Sequence, residues 1–172
     1  MKKLISLLAL AGTMAAAQQN TAATPAAPAP AVKVTLTQDQ IKTATVDGKA
    51  VDTVIANPKT VLPGDILREE VTVVNVSSKP VKSPVISVPV PKGTAYAGSA
   101  TPGNDRWNTL YSIDNGKNYA ATPMKTVTVT ENGKSVTKQV AAATTEYTNV
   151  RWLIGQLGAD ETLKLSFRVR VN

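Results

Sequence analysis

From Val32 onward, apolar and polar residues alternate in short runs. The clearest run is the last. Leu163, Leu165, Phe167, Val169 and Val171 alternate with Thr162, Lys164, Ser166, Arg168 and Arg170. A period of two predicts a strand with one covered and one wet face. Val127 and Val129 sit between Thr126, Thr128 and Thr130 in the same way. So do Val32, Val34 and Leu36 between Lys33, Thr35 and Thr37. Val71-Thr72-Val73-Val74-Asn75-Val76 is apolar on both faces near its end, which predicts a central strand. Asp47-Gly48-Lys49, Asn115-Gly116-Lys117 and Asn132-Gly133-Lys134 place glycine where a tight turn needs positive φ. The third should close Lys125–Thr130 and Ser135–Val140 into a hairpin. No long helical period follows the N-terminal region. About eight to ten short strands over residues 32–172 predict one antiparallel β-sandwich.

The N-terminus follows another pattern. Met1-Lys2-Lys3 precedes an apolar run from Leu4 to Ala11, and Gly12-Thr13-Met14-Ala15-Ala16-Ala17 supplies small residues. Together these predict a signal peptide over residues 1–17, cleaved after Ala17. The apolar run is too short to span a bilayer core of ~30 Å, and no second run of spanning length follows. Residues 18–31, QQNTAATPAAPAPA, predict a flexible linker, because three prolines block regular pairing and nothing large can pack. The expected destination is export, to the periplasm, cell envelope or cell surface.

Composition narrows the chemistry. The chain has no cysteine and no histidine. That excludes disulfides, lipoprotein anchoring, imidazole-ligated metals and Ser-His or Cys-His nucleophile pairs. Aromatics are 4% of residues, so an aliphatic core is expected. Without Lys2 and Lys3, 17 basic residues face 12 acidic ones, a balance of +5. This favours acidic neighbours such as a cell-wall polymer or an acidic protein. The basic residues are spread out and no recognition motif accompanies them, so no specific nucleic-acid binding is expected. Asp47, Asp52 and Asp65 could contribute to a calcium site, but no dense acidic loop unites them. Glu69 and Glu70 would face opposite sides of a strand and cannot form a glycosidase pair. No cofactor and no enzymatic activity are expected.

Three motifs occur in order. Val61-Leu62-Pro63-Gly64-Asp65 precedes a strand ending in Asn75-Val76-Ser77. Val88-Pro89-Val90-Pro91-Lys92-Gly93-Thr94-Ala95-Tyr96 leads to Gly98-Ser99. Arg151-Trp152-Leu153-Ile154-Gly155-Gln156-Leu157-Gly158-Ala159-Asp160-Glu161 runs into the last strand. Over residues 61–172 this resembles the bacterial and archaeal surface-repeat family known as domain of unknown function 11. The resemblance implies an immunoglobulin-like β-sandwich in a cell-surface, cell-wall or S-layer-associated protein, with no catalytic residues. Read physically, Pro63-Gly64-Asp65 makes a turn, Asn75 satisfies loose backbone groups at a strand end, and Trp152 plugs the core. Arg68-Glu69-Glu70 stands where such members often carry an aromatic. It suggests an edge, or a face meeting something polar.

Ser112-Ile113-Asp114-Asn115-Gly116-Lys117-Asn118-Tyr119 matches the Asp-box pattern, a structural hairpin turn found in glycan-active proteins. Trp107 beside Arg106, in a long polar segment, is the best candidate contact residue. Lys164, Arg168 and Arg170 would line the wet face of the terminal strand, with Arg151 and Lys138 close by. The leading expectation is a non-catalytic structural or interaction module, an accessory subunit of a surface-layer or outer-envelope protein complex. One alternative is a carbohydrate or peptidoglycan binder. Another is self-association, with Val32–Thr37 donated to a neighbour's sheet edge.

Overall fold

The computed structural model describes residues 31–131 and 133–172. The expected signal peptide and the linker up to residue 30 lie outside the described residues. The chain forms twelve strands: β1 (Val32–Val46), β2 (Lys49–Ala56), β3 (Ile66–Asn75), β4 (Val81–Lys82), β5 (Val85–Pro89), β6 (Thr94–Gly98), β7 (Trp107–Ser112), β8 (Met124–Glu131), β9 (Lys134–Ala141), β10 (Asn149–Ile154), β11 (Gln156–Leu157) and β12 (Thr162–Val171). Ten exceed two residues, matching the expected eight to ten. The surplus is the short β4–β11 pair. One 3-10 turn, Thr144–Glu146, is the only helical element among the described residues.

Every strand pairing is antiparallel. A five-stranded sheet runs in the order β2-β1-β3-β12-β6, and a three-stranded sheet in the order β5-β10-β7. They face each other as an all-β sandwich. Leu67, Val71 and Val73 of β3 and Leu165, Phe167 and Val169 of β12 meet Ile86 and Val88 of β5 and Val150, Trp152 and Ile154 of β10. The alternation of β12 is realised as read, with its apolar members buried or nearly so. Trp152 is completely buried on the middle strand of the smaller sheet.

The core is less aliphatic than composition suggests. Five of the seven aromatic residues form one line through it. Tyr111 and Tyr147 stack at 4.7 Å, Tyr96 contacts both, and Phe167 links Tyr96 to Trp152. Scarce aromatics are concentrated where their area stabilises most.

Asn75 ties the end of β3 to the approach to β12. Its Nδ2 donates to the carbonyls of Lys79 (2.8 Å) and Gly158 (2.6 Å) and, at 3.3 Å, Leu157. Its Oδ1 accepts from the Ser77 amide and hydroxyl. The Pro63-Gly64-Asp65 turn forms as read. Gly64 has φ 90°, and Asp65 Oδ2 accepts the Leu62 N–H at 2.8 Å.

One correction concerns β3. Arg68-Glu69-Glu70 lies on a strand with neighbours on both sides, not at an edge. Arg68 pairs with Asp39 on the outer face, Glu70 pairs with Lys164, and Glu69 turns inward. Val32–Ile41 pairs with Ile66–Asn75 of its own chain. Its apolar side nevertheless stays open. Val34 and Leu36 share the inward face with buried Val73 and Val71 yet are 51% and 52% exposed, because the smaller sheet does not reach over them.

Two hairpin ribbons leave the sandwich. β1–β2 pairs from Asp39↔Ala56 to Val46↔Lys49, with Asp47-Gly48 at its tip as expected. β3 covers β1 only as far as Ile41, so the rest of the ribbon extends beyond the sheet. It must also bend. Asp52 of β2 reaches Arg168 of β12 at 2.5 Å. A flat sheet would separate those strands by roughly 14 Å, three interstrand spacings. The second ribbon, β8–β9, pairs only with itself. Its Lys125–Glu146 ion pair links it back to the body.

Candidate functional site

The outer face of the three-stranded sheet gathers the most functional chemistry. β10 presents Asn149, Arg151 and Leu153 there, because Val150, Trp152 and Ile154 point inward. Register sets Ser87 and Leu110 on either side of Arg151, and Val85 and Asn108 on either side of Leu153.

The Asp-box segment caps one end of this face. Ser112 Oγ is hydrogen-bonded to Asp114 Oδ1 at 2.7 Å and accepts the Gly116 N–H at 2.9 Å. Asp114 accepts the Asn118 N–H at 2.9 Å, the Lys117 N–H at 3.1 Å and Asn118 Nδ2 at 2.6 Å. These donors, led by the Asn118 amide, pull its carboxyl down to about 2. Asp114 is thus committed to the turn. Gly116 has φ 82°, and a Cβ there would stand 2.8 Å from the Tyr119 hydroxyl. The turn therefore needs glycine, and its product is the placement of Tyr119.

Tyr119 lies against Arg151. The guanidinium carbon is 3.5 Å from the ring centroid. Arg151 Nε donates to Ser87 Oγ at 2.7 Å, and that hydroxyl reaches the Tyr119 hydroxyl at 3.3 Å. Arg68, Arg106 and Arg168 all hold carboxylates, whereas Arg151 has no ion-pair partner among the described residues. The side chain is positioned by stacking and one hydrogen bond, with its terminal nitrogens left uncommitted by any acid.

Further along β10, around Leu153, the face sinks into an open depression of about 380 Å³ that Val85, Asn108, Trp107, Arg106 and Asp105 also line, while Arg151 does not. Trp107 is half-buried, and its Nε1 donates to the Pro102 carbonyl at 3.0 Å. Asn104 Oδ1 accepts the amides of Arg106 and Trp107 and shapes the turn before β7. Arg106 lies 5.8 Å from the Trp107 ring centroid and binds Glu161 at 2.5 Å. That contact, then the Gly158 N–H, lowers the Glu161 carboxyl below its usual range.

The cations of β12 lie on the other sheet. Lys164 binds Glu70, and Arg168 binds Asp52, so these two are charge-paired. Arg170 is exposed and makes no ion pair among the described residues. Arg151 does not join this row as the sequence suggested, and Lys138 lies out on β9, paired with Glu131. Asp47 sits at a ribbon tip, Asp52 along that ribbon and Asp65 in the turn before β3, so the three do not share a loop. Glu69 is 2% exposed; burial raises its carboxyl above the usual range, opposed by Gln38 Nε2 at 2.6 Å. No helix among the described residues is long and apolar enough to cross a membrane.

No family model, curated protein or solved structure matches this chain. The sequence singled out Trp107, Arg106 and the Asp-box turn, and the structure places all three around one sheet face. It did not identify Arg151 as the centre. Only the alternation about Trp152 could have shown that Arg151 and Leu153 share the outward side.

Proposed function

We propose that this chain is a non-catalytic interaction module of the bacterial cell envelope, an accessory subunit that grips a larger surface complex with its ribbons. The supporting observation is the β8–β9 ribbon. Val127, Val129, Val136 and Val140 share one face by register, bordered there by Lys125, Glu131, Lys134 and Lys138, and Thr126, Thr128, Thr130, Ser135, Thr137 and Gln139 share the other. The valines are half-buried by their own ribbon, which pairs with no other strand. A two-stranded ribbon alone is marginal in water, so a valine stripe on one is suited to a second surface. The β1–β2 ribbon repeats the arrangement with exposed Val46, Val51 and Ile55. The surface-repeat resemblance and the signal-like N-terminus agree with this address.

The test is a tagged pull-down of the exported chain from envelope extracts, washed at low and then high salt. The expected result is one or two proteins in fixed ratio, resistant to salt and lost from Val129→Asp or Val51→Asp. Recovery of no stoichiometric protein, or recovery unchanged in both variants, overturns the reading.

A further inference from the structure

We propose that the outer face of the β5-β10-β7 sheet binds an acidic sugar of the uronate class, with Arg151 taking its carboxylate and the adjoining depression seating its ring. This does not depend on the ribbon interaction, which uses other parts of the molecule.

Three observations converge. The first is Arg151, a planar guanidinium stacked on Tyr119, hydrogen-bonded through Nε to Ser87 and holding no carboxylate among the described residues. Such a fork matches a carboxylate in two parallel hydrogen bonds, and stacking lowers the entropy lost when it engages. The second is the depression around Leu153, the next outward residue of β10 after Arg151. Its floor is aliphatic, from Leu153 and exposed Val85, while Asn108 and Asn104 supply amides at its border. A pyranose has the complementary character, an apolar C–H face bordered by hydroxyls. Asp105 also lines the depression and disfavours a carboxylate at that end, which leaves the Arg151 end for the acid.

The third is spacing. Arg151 and Leu153 are successive outward residues of one strand, so their Cα atoms are roughly 7 Å apart. That is about one pyranose ring, so a ring over Leu153 can turn its C5 carboxylate toward Arg151. The depression is open and shallow, which suits one unit within a chain rather than an engulfed small molecule. The neighbouring cation Arg106 is held by Glu161 and does not compete for the acid.

The experiment measures binding of the intact exported chain to polygalacturonate, with polyglutamate and uncharged galactan in parallel. Wild type should bind polygalacturonate and neither of the others. Arg151→Ala should weaken binding about 10-fold or more, the size expected for a charge-assisted pair. Arg151→Lys keeps the charge without the fork and should recover only part of the loss. Arg170→Ala removes an exposed cation on the opposite sheet and should change binding less than about two-fold if bulk charge is not the cause. Adding galacturonate oligomers should shift the Arg151 Nε–Hε resonance, a readout that also reports a folded site. Equal losses in Arg151→Ala and Arg170→Ala overturn the proposal. So does polyglutamate binding with the same Arg151 dependence, and so does an unmoved Arg151 resonance.

Discussion

The terminal strand β12 and the ribbon β8–β9 carry the same alternation of aliphatic and polar residues and meet opposite fates. In β12, Leu165, Phe167 and Val169 are at most 1% exposed. In β8–β9, Val127, Val129, Val136 and Val140 stay half-exposed, because register pairs that ribbon only with itself. A period of two therefore dictates a strand and sorts its faces, but not what lies across the apolar one. In β12 a second sheet lies across it. In the ribbon no second sheet does, and its valines are covered only in part.

The most severe way to test this contrast is to truncate one residue from each region. Trp152→Ala should cost about 3–5 kcal/mol, because it deletes a completely buried ring beside Phe167 and leaves a cavity. Val129→Ala should cost less than about 1 kcal/mol, since its methyls are already partly in water. Urea unfolding of both variants measures the pair. A similar loss in both would mean that the ribbon is packed as tightly as the core, and the contrast would fail.

A polar pair sharpens the same comparison at smaller scale. Asn75→Ala removes a fully buried side chain and leaves the carbonyls of Lys79 and Gly158 and the Ser77 amide without their partner in a part-buried seam, for about 2–3 kcal/mol. Gln139, bonded to Thr126 on the exposed threonine face of the ribbon, should cost no more than about 0.5 kcal/mol as Gln139→Ala. Chemical denaturation again decides. An Asn75→Ala loss as small as that of Gln139→Ala would show that the seam does not hold the sandwich together.

These contrasts explain what could be read from the sequence. The alternation of β12, the glycine turns at Gly48 and Gly133, Trp152 as core plug and Asn75 as a strand-end clamp are local patterns, and each was legible. Sheet membership was not. Arg151 and Arg168 read as neighbours because both are outward cations on late strands, yet they stand on opposite sheets. Val32, Val34 and Leu36 read as a covered face, but whether the second sheet reaches that far depends on pairings distant in sequence. The ion pairs join residues as far apart as Asp52 and Arg168, which no local window contains. The aromatic line through Tyr96, Tyr111 and Tyr147 was hidden for the same reason, since composition counts rings without locating them.

The gentlest test separates the two regions by pH alone. The β1–β2 ribbon bends back to the body through Asp52, whose carboxylate is held below the ordinary aspartate value of 3.8 by the Thr43 hydroxyl first and then by Arg168. A lowered folded value means that the folded state favours the ionised form. This stabilising contribution is fully present above the ordinary aspartate range and is lost as pH falls through the lowered folded value. Asp52 is solvent-exposed, so its loss should release the ribbon without unfolding the sandwich. Amide protection factors across residues 42–53, with the intrinsic pH dependence of exchange divided out, should therefore fall as the solution is acidified, while amides of β3 and β12 keep theirs. Asp52→Asn should show the same local loss of protection at neutral pH, with no further fall in those protection factors on acidification. Core amides that lose protection together with the ribbon would show that the clasp belongs to the cooperative core. The ribbon would then be part of the sandwich and not an arm attached to it.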